Sequence, residues 1–493
     1  MIVTCREMAG AEERLFATGI EAEPLMDKAG WGCARAIARF FPRPGHATVY
    51  CGKGNNGGDA LVAGRWLRKW GWRVEVNLSH PPESMSSLAR IKLEALRNEP
   101  GHSPDRSDSR VLIDGLLGIG ARGPLSGPLR QSADEMNRIR LSEGATTFAV
   151  DIPSGLDGDS GEPYEGSVVA DVTLSICAPK SGIVADRAID HVGRIAEIPL
   201  PEIPARGDES IRLCFPSNLY PRLPRRPFDF HKGKAGRIGI VAGSRGFSGA
   251  PVLSALGASH SGAGLVSLFV PVEIYPIVAA RAPCEAMVHP LEGPDSLAAI
   301  PLDVIAVGPG LGSRPAPWLV DLIRDDTRAL VIDADGLNAL AREGAAGEIA
   351  GRFGGPRLLT PHPGELARLT RRTGERTAVT RALAESWQST LLHKGARTVI
   401  ATPGHPVELN TTGHPGMASG GMGDVLTGAC AALIAQGLSL HDAACVGSWL
   451  TGRAAELAVQ EKRSAPVSLT AVEMADSLGS ALEALAVESA LGN

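Results

Sequence analysis

Several features that would define other classes of protein are scarce in this sequence. Aromatic residues make up only 4% of the 493 residues. The net charge is −5, so no excess of basic residues favours a nucleic-acid partner. No uncharged apolar run approaches the roughly 20 residues of a spanning helix, so we expect no membrane partner. The N-terminus also lacks the basic and apolar regions of a signal peptide, and we expect a cytoplasmic protein.

Two further sequence motifs are missing. The eight cysteines include no Cys-x-x-Cys pair, a pattern that favours reduced thiols over a disulfide framework or a zinc site. No G-x-x-x-x-G-K-[ST] sequence occurs, which disfavours a Walker-type nucleotide hydrolase.

Length and pattern indicate two α/β domains. A chain of 493 residues is too long for one ordinary core. Apolar runs typical of buried strands alternate with helical spacing in both halves, which predicts mostly parallel sheets covered by helices on both faces. Seven prolines within residues 199–232 predict a linker. We place the boundary near residue 215, within about ten residues either way, giving domains of residues 1–214 and 215–493.

The first half has a glycine-rich turn between a strand and a helix. The apolar run 47–51 is followed by residues 52–59 (Gly-Lys-Gly-Asn-Asn-Gly-Gly-Asp), and helical spacing begins at residue 59. Free backbone N–H groups at such a helix start attract anions. The two asparagines and the aspartate add oxygen ligands suited to a hard cation.

Two other predicted strands end in similar polar loops, at residues 114–120 and 151–157. Ligands bind beyond the carboxyl ends of parallel strands, so we expect the three loops to converge on one pocket. Residues 118–123 also match the dinucleotide fingerprint G-x-G-x-x-G, but about one such match is expected by chance in a chain this rich in glycine. Pro124 follows directly, so no helix opens on these glycines, and we interpret the segment as a loop that covers the ligand.

These loops resemble those of the NAD(P)H-hydrate epimerase domain family, over residues 1–205, through their Asn-Asn-Gly-Gly-Asp and Asp-Ile-Pro-Ser-Gly segments. The resemblance implies a Rossmann-like parallel sheet that binds potassium and the hydrated nicotinamide cofactor. By position, the implied potassium ligands are Asn56, Asp114 and Ser154. The implied substrate-binding residues are Asn55, Asn56, Gly57, Gly58, Asp59, Gly118, Ile119, Gly120, Ala121, Arg122, Gly123, Pro124 and Asp151. Ala60 stands where we expect the family often to have glycine.

Epimerisation at the hydrated carbon removes and restores an oxygen, which requires a proton donor and a proton acceptor close to that carbon. Asp151 is the first candidate for this role. Lys180 is the second candidate, with an ordinary solvated lysine as the alternative interpretation.

The second half contains a glycine-dense segment, residues 416–428, in which Gly420 to Gly423 precede Asp424 and a helical run. Consecutive backbone N–H groups here would form an oxyanion hole for a transferring phosphoryl group. Asp424, in the first helical turn, is positioned to accept a proton from an attacking hydroxyl.

This segment resembles the Gly-x-Gly-Asp signature of the ribokinase-like superfamily, and five further segments narrow the resemblance to NAD(P)H-hydrate dehydratases. They are residues 231–236, 308–312, 333–338, 360–365 and 393–395. The resemblance covers residues 230–490 and implies a ribokinase-like sheet, so that the chain would contain two three-layer αβα domains. With the first half, the whole chain resembles the family of bifunctional NAD(P)H-hydrate repair enzymes.

In that family a nucleotide, ADP in most bacterial members and ATP in eukaryotic ones, phosphorylates the hydrate's hydroxyl, and loss of phosphate then restores NADH or NADPH. The implied hydrate contacts are Ala250, Gly310, His362 and Asp424, with Asp424 as the base. The implied nucleotide contacts are Lys394, Gly395, Ala396, Arg397, Thr398 and Gly423. Glu365 would contact magnesium through water. Met422 and His414 depart from the threonine and asparagine that we expect, which leaves the choice of nucleotide open.

The leading prediction is a bifunctional isomerase and lyase for metabolite repair, a homo-oligomer acting on the small-molecule hydrates NADHX and NADPHX. One alternative is a ribokinase-like small-molecule kinase with an accessory first half, which would release a stable phosphate ester. Another is a scaffolding module, which would be expected to lack the cation ligands that Asn56, Asp114 and Ser154 supply.

Overall fold

The computed structural model describes residues 1–101, 109–313, 316–342, 353–462 and 465–490. The chain divides into two compact units, Met1–Glu209 and Ser210–Asn493. Each unit has its own sheet and its own core.

In the described part of the first unit, six parallel strands form a sheet in the order β2-β1-β3-β4-β5-β6. The strands are β1 His46–Cys51, β2 Arg73–Leu78, β3 Arg110–Gly115, β4 Thr146–Val150, β5 Val172–Ile176 and β6 Arg194–Ile198. The helices are α1 Cys5–Phe16, α2 Ala22–Phe40, α3 Asn55–Lys69, α4 Ser87–Arg97, α5 Gly127–Glu143, α6 Ser181–Val184 and α7 Ile189–Val192. The predicted parallel α/β architecture is confirmed.

Alternate residues of the central strands face two different cores. Val49 and Ile113 lie in the larger core, together with residues of α2, α3 and α4. Leu112 lies in a smaller core, together with residues of α5. Since both faces of the sheet are covered, its strands appear in the sequence as continuous apolar runs. The strand order reverses between β1 and β3, which opens a crevice beyond the carboxyl ends of these two strands.

Helix α3 begins at Asn55, earlier than the predicted start at residue 59. Gly57 and Gly58 are therefore helical residues packed against their neighbours. A Cβ at Gly57 would lie 2.4 Å from the Gly52 carbonyl oxygen, and a Cβ at Gly58 would lie 2.5 Å from Met26 Sδ. Asparagine and glycine are poor helix formers, so close packing decides the start of this helix and propensity does not.

Gly52 holds the end of β1 against the loop after β3, because a Cβ at this position would lie 1.8 Å from the Leu116 carbonyl oxygen. We expect Gly52→Ala to lower the free energy of unfolding by about 2–3 kcal/mol, since the overlap is with backbone that must shift. The measurement is the urea midpoint followed by fluorescence. Gly54→Ala is the matched control, because a Cβ there meets open space; equal midpoints for the two variants would contradict the prediction.

In the described part of the second unit, the strand order is β10-β9-β8-β11-β12-β13-β14-β15-β16-β7. The strands are β7 Ile211–Cys214, β8 Arg237–Val241, β9 Leu265–Pro271, β10 Ala286–Leu291, β11 Val304–Val307, β12 Ala329–Ile332, β13 Arg357–Leu359, β14 Thr390–His393, β15 Val399–Ala401 and β16 Val407–Asn410. Strand β15 is antiparallel to both neighbours, and the other pairs are parallel.

The helices of the second unit cover this mixed sheet. They are α8 Pro216–Leu219, α9 Ala250–His260, α10 Tyr275–Ala279, α11 Asp295–Ala298, α12 Pro317–Asp325, α13 Ala334–Arg342, α14 Pro363–Leu369, α15 Arg376–Trp387, α16 Met422–Ala435, α17 Leu440–Lys462, α18 Ala471–Asp476 and α19 Leu478–Ser489. Helices α9 and α16 approach very closely, because a Cβ at Gly428 would lie 1.9 Å from the Ser254 carbonyl oxygen. The strand order reverses between β8 and β11, which again opens a crevice at the carboxyl ends.

The predicted linker at residues 199–232 is wrong in its central part. Strand β7 pairs in parallel with β16, and Leu219 of α8 is fully buried. The prolines at 216 and 221 begin short helices, where a missing N–H costs nothing, and so do not mark irregular chain. Residues 210–214, which the predicted boundary assigned to the first domain, belong to the second unit.

No described helix combines the length and the apolar character that crossing a lipid bilayer requires.

Candidate active sites

The crevice of the first unit is a cavity of about 480 Å³. Nine of the predicted site residues line it: Asn55, Asn56, Asp59, Gly118, Ile119, Gly120, Ala121, Asp151 and Lys180. The loops after β1, β3 and β4 therefore converge, as their position at strand ends predicts. Apolar side chains from α1 and α2, among them Phe16 and Leu25, form another part of the wall.

Five predicted substrate-binding residues are not part of this wall. Gly57 and Gly58 do not reach the cavity surface, because they are buried within helix α3 and pack against Gly52 and Met26. Arg122, Gly123 and Pro124 continue past the lining segment, and the Arg122 guanidinium lies 3.4 Å from the Asp159 carboxylate. As predicted, no helix opens on the glycines of residues 118–123, since α5 begins at residue 127.

Asp151 and Lys180 form a buried ion pair at the floor of the cavity. The Lys180 ammonium is 1% exposed and donates to Asp151 Oδ1 and, at 2.9 Å, to the Ile176 carbonyl oxygen. The Ile176 N–H donates to the same Asp151 oxygen at 3.0 Å. Asp151 has a φ of 67°, a left-handed conformation that is uncommon outside glycine and that marks many functional sites. The alternative of a solvated Lys180 is therefore wrong.

Two more carboxylates line the cavity near this pair. Burial, followed by the neighbouring Asp151 carboxylate, raises the pKa of Glu12, which lies on α1. Burial also raises the pKa of Asp59 well above its ordinary value, with Asp151 and Glu12 adding to the shift. Clusters of this kind, with perturbed carboxylates around one ammonium, are typical of proton-transfer sites. Glu12 was not predicted, since nothing in the sequence of α1 distinguishes it from a surface glutamate.

The three predicted potassium ligands meet around the Leu117 backbone, at the part of the cavity wall that Asn56 and Leu117 form. The Asn56 amide donates to the Leu117 carbonyl oxygen at 2.9 Å, and the Leu117 N–H donates to Ser154 Oγ at 2.9 Å. Ser154 Oγ and the Ser154 N–H each donate to Asp114 at 2.7 Å. Burial raises the pKa of Asp114 to about 6, although hydrogen bonds from Ser154 and Leu116 partly oppose the shift.

This cluster has the chemistry of a site for a hard monovalent cation. It combines amide, carboxylate, hydroxyl and carbonyl oxygens, the ligand types that such cations prefer. Asp114 is fully buried, and the donors that it accepts from are neutral. A bound cation would supply the positive charge that a buried carboxylate requires.

The second crevice is closed on one side by the start of helix α16. Gly421, with a φ of 92°, precedes the helix and allows the chain to turn tightly into it. The first N–H groups of the helix have no partner within it, which favours binding of an anion. Asp424 lies in this first turn. Burial raises its pKa to about 7, and repulsion by the Asp333 carboxylate adds to the shift, while Lys394 opposes it.

Asp333 and Lys394 form the central ion pair of this crevice. Lys394 Nζ donates to Asp333 Oδ1 at 2.6 Å, and the Thr427 hydroxyl donates to Asp333 Oδ2 at 2.9 Å. Gly423 lies over the pair, since a Cβ there would be 3.4 Å from Lys394 Nζ. Burial lowers the pKa of Lys394, but the Asp333 and Glu365 carboxylates outweigh this effect and raise it. Asp333 belongs to segment 333–338 of the resemblance, and its position directly after β12 is the sequence signal for its place in this crevice.

His362 and Glu365 extend this group. His362 Nδ1 accepts from the N–H groups of Gly364 and Glu365, and the Glu365 carboxylate accepts from the His362 N–H at 2.9 Å, so the two residues cap α14 reciprocally. Glu365 also lies 3.8 Å from Lys394 Nζ. Four predicted site residues, His362, Glu365, Lys394 and Gly423, are thus brought together.

Ala250 and Gly310 face each other at the switch point of the second sheet, where they follow β8 and β11. A Cβ at Gly310, whose φ is 63°, would lie 2.9 Å from the Ala250 Cβ. The Ser244 hydroxyl donates to the Gly310 carbonyl oxygen at 2.9 Å, and the Gly312 N–H donates to Asp335 at 2.8 Å. These bonds hold the loop after β11 in place beside the loop after β8.

The predicted nucleotide segment is only partly accessible. Gly395 and Ala396 are exposed next to Lys394. Arg397 and Thr398 are buried, at 4% and 8% exposure, because the chain turns into β15 at this point. Contact of these two residues with the nucleotide stays a prediction.

The two departures from the expected pattern have clear structural positions. The Met422 side chain is buried in the core, while its backbone remains in the first turn of α16. His414 precedes a short 3₁₀ helix, and its Nδ1 accepts from the Gly416 N–H at 3.0 Å. This is the capping bond that asparagine would make, so histidine substitutes for its structural role.

Each unit carries a carboxylate–lysine pair just beyond the carboxyl ends of its parallel strands, an arrangement that defines a two-domain α/β enzyme. Two family models match the chain: residues 22–182 match the YjeF-related protein N-terminus, and residues 238–477 match NAD(P)H-hydrate dehydratase. Both predicted domain resemblances are thereby confirmed.

Curated relatives cover nearly the full length. A bifunctional NAD(P)H-hydrate repair enzyme of Moorella thermoacetica is 36% identical, with 94% of this chain and 93% of the relative covered. The Escherichia coli enzyme of the same name is 33% identical over 91% and 87%. The chain belongs to the family of bifunctional NAD(P)H-hydrate repair enzymes, which favours the leading prediction over the kinase and scaffold alternatives.

A solved structure resembles the second unit. It is an ADP/ATP-dependent NAD(P)H-hydrate dehydratase from Bacillus subtilis, co-crystallised with ATP and Mg²⁺. It is 28% identical with a TM-score of 0.50, and the match covers 56% of this chain and all of that one. The predicted ribokinase-like fold is confirmed.

Proposed function

We propose that this chain repairs hydrated nicotinamide cofactors with one reaction in each unit. The first unit (the predicted domain 1–214) interconverts the R and S forms of NADHX and NADPHX. The second (predicted as 215–493) dehydrates the S form to NADH or NADPH at the expense of a nucleotide. The observation that carries the proposal is the pair of crevices, each with an acid–base group, within a chain similar over its whole length to bifunctional repair enzymes.

In the first reaction, Asp151 and Lys180 act at the hydrated carbon. Oxygen loss from that carbon requires a proton on the departing group, and oxygen return requires a base to take a proton from the incoming water. The ion pair supplies both, since the ammonium is a donor and the carboxylate an acceptor. Asn55, Asn56, Asp59 and the loop at Gly118 to Ala121 would hold the substrate, and the apolar wall would limit access of bulk water.

Asn56, Asp114 and Ser154 would hold potassium in this unit. The bound cation would supply a fixed positive charge for anionic parts of the substrate. Full burial of Asp114 among neutral donors supports this assignment.

In the second reaction, Asp424 takes the proton from the hydrate's hydroxyl as that oxygen attacks the terminal phosphoryl group of the nucleotide. The free N–H groups at the start of α16 stabilise the transferring group, and Lys394 neutralises part of its charge. Phosphate then leaves with the former hydroxyl oxygen and its bonding electrons, and a proton is lost from the neighbouring ring carbon, which restores the double bond of the reduced nicotinamide. Ala250, Gly310 and His362 would position the hydrate.

Lys394, Gly395, Ala396 and Gly423 would bind the nucleotide, ADP with release of AMP and phosphate, or ATP. The Bacillus subtilis relative was crystallised with ATP and Mg²⁺, which supports a nucleotide in this crevice. Glu365 would hold magnesium only through water, since its carboxylate already faces the His362 N–H and Lys394.

The experiment that tests this function is incubation of the purified chain with a mixture of R and S hydrates, magnesium, potassium and ADP or ATP. We expect nearly all of the hydrate to return as reduced nicotinamide, followed by its absorbance. Recovery of only the S portion would remove the epimerase from the proposal, and a stable phosphate ester without recovery would favour the kinase alternative.

The dehydration rate should increase with pH, with a midpoint at the pKa of Asp424, about 7. The sign follows because only the ionised carboxylate accepts a proton, and burial and Asp333 disfavour that form. Lys394→Met should shift the midpoint upward, since Lys394 stabilises the charge. The measurement is the rate at saturating nucleotide between about pH 5 and about pH 9, a range that spans the pKa on both sides. A profile that is flat across neutral pH would contradict the assignment of Asp424.

Two further expectations belong to this proposal. All eight cysteines are free, which supports a reducing compartment such as the cytoplasm. A homo-oligomeric state stays a prediction, which sedimentation would test.

A further inference from the structure

The second unit contains a buried cluster of cysteine, histidine and glutamate side chains that neither reaction uses. Cys214 lies at the end of β7, Glu408 on β16, and His441 and Cys445 on α17. All four are buried, with 5% exposure or less. The cluster is assembled from three elements far apart in the sequence.

Sheet register and helical spacing bring these side chains to one point. In the parallel pair of β16 and β7, Glu408 is opposite Arg212 and Asn410 is opposite Cys214. Residues two apart on a strand share a face, so Glu408 and Cys214 lie on the same face of the sheet. His441 and Cys445 are four residues apart on α17, which places them on one face of that helix.

Three of these side chains have ligand atoms spaced to share one metal ion, and His441 lies next to this group of three. The Cys214, Glu408 and Cys445 ligand atoms all lie within 4.8 Å of one another. Glu408 Oε2 is 3.7 Å from Cys214 Sγ, and His441 Nε2 is 3.8 Å from Cys445 Sγ. Tetrahedral zinc, with bonds of about 2.0–2.3 Å, separates neighbouring ligand atoms by about 3.3–3.8 Å.

His441 adjoins this group of three. Its Nε2 is 3.7 Å from Glu408 Oε1, too far for a hydrogen bond between an imidazole and a carboxylate. Glu408 Oε1 accepts instead from the Arg222 guanidinium at 2.8 Å. His441 Nε2, which is 3.8 Å from Cys445 Sγ, is therefore placed to approach an ion held by the other three side chains.

The surroundings complete the features of a metal site. His441 Nδ1 is 3.0 Å from Thr402 Oγ1, a bond that fixes the ring with Nε2 facing the cluster. The Arg222 guanidinium donates to Glu408 Oε1 at 2.8 Å. Two thiolates and one carboxylate would offset the charges of a Zn²⁺ ion and of Arg222. Soft thiolates combined with imidazole select zinc over magnesium or calcium.

We propose that Cys214, Glu408 and Cys445 hold a structural zinc ion, with His441 moving in from beside them as the fourth ligand, and that this site fastens α17 to the β7–β16 edge of the second sheet. With His441 as the fourth ligand, the ion would have no open position for water, so its role would be structural and not catalytic. Binding deprotonates the two thiols and releases their protons to solvent. This inference does not depend on the proposed reactions.

The test uses the full chain, freed of metal with a chelator under reducing conditions and titrated with Co²⁺ alone. We expect one Co²⁺ per chain, with the absorbance typical of cobalt–thiolate bonds, and displacement by one equivalent of Zn²⁺. Zn²⁺ should also raise the melting temperature of the metal-free protein. Absence of stoichiometric cobalt–thiolate absorbance in the wild type would overturn the proposal.

Cys214→Ser and Cys445→Ser should each abolish that absorbance and the stabilisation by Zn²⁺. Cys430→Ser is the matched control: this cysteine is also fully buried, but its thiol donates to the Ala443 carbonyl oxygen at 3.7 Å. His441→Asn keeps both thiols, so it should retain a cobalt–thiolate band with a changed spectrum and weaker affinity. Retention of wild-type binding in all three cluster variants, or equal loss in Cys430→Ser, would overturn the assignment.

Discussion

Asp424→Asn is expected to lower the rate of S-hydrate dehydration by about 10³-fold, the loss typical of removing a general base from a positioned site. The substitution keeps the shape of the side chain and removes only its capacity to accept a proton. The measurement is the appearance of reduced nicotinamide from pure S hydrate with saturating ADP or ATP and magnesium. Epimerisation of the R form, measured separately, should be unchanged.

Folding provides an independent readout for this variant. Burial and the Asp333 carboxylate already disfavour a charge at Asp424, so an uncharged asparagine should not lower the free energy of unfolding. Asp295→Asn is the matched control, since Asp295 also lies in a helical first turn but is exposed. A dehydration rate for Asp424→Asn within threefold of the control (on the order of the scatter expected for neutral surface changes) would show that another group is the base.

Asp151→Asn is expected to stop repair at the S portion of a mixed hydrate preparation. The R portion should convert at least about 10²-fold more slowly than in the wild type, because the proton acceptor of the first cavity is removed. Dehydration of pure S hydrate should proceed at the wild-type rate, since Asp424, Lys394 and their partners are untouched. The measurement is the amplitude and rate of the two phases of reduced nicotinamide recovery.

This variant also breaks a buried ion pair, so loss of activity must be separated from loss of structure. Leaving the Lys180 ammonium without its carboxylate is expected to cost about 3–5 kcal/mol of folding free energy. The double variant Asp151→Asn with Lys180→Met removes both charges and should regain much of that stability without regaining activity. Asp190→Asn, an exposed carboxylate change in the same unit, is the control. Recovery of the R portion in the double variant would contradict a role for the pair in chemistry.

Much of the first sheet could be predicted from the sequence, because its strands are buried on both faces. Strand β1, indicated by the apolar run 47–51, is observed as His46–Cys51. Edge strands were harder to predict. Strand β7 lies in a proline-rich segment and has only four residues, and β10 is partly exposed and contains Pro290. Neither shows the continuous apolar run of a central strand.

The active-site residues were predictable where a glycine-rich loop follows a strand. Asp151, Asp424 and Lys394 all lie in such loops or directly after them, and the structure places each at a crevice. Glu12 comes from a helix with ordinary amphipathic spacing, so only the folded chain reveals its place in the cavity. The burial of Arg397 and Thr398 could not be predicted either, since the local sequence does not show where a loop ends and the next strand begins.

The cysteine cluster shows a different limit of sequence reasoning. A search for Cys-x-x-Cys spacing detects metal sites made within one loop, and it correctly found none. Cys214 and Cys445 are brought together by strand register and helix packing, which require the tertiary structure.

The pairing of β7 with β16 has a practical consequence for dividing this polypeptide between two expression vectors. A cut made at residue 215 would remove the edge strand β7 from the larger sheet. The backbone hydrogen-bonding groups of Val407 to Asn410 that pair with it would then face solvent. An exposed edge strand of this kind promotes aggregation through pairing with other chains. A cut between Glu209 and Ser210 would keep β7 within the second unit, where it completes the sheet.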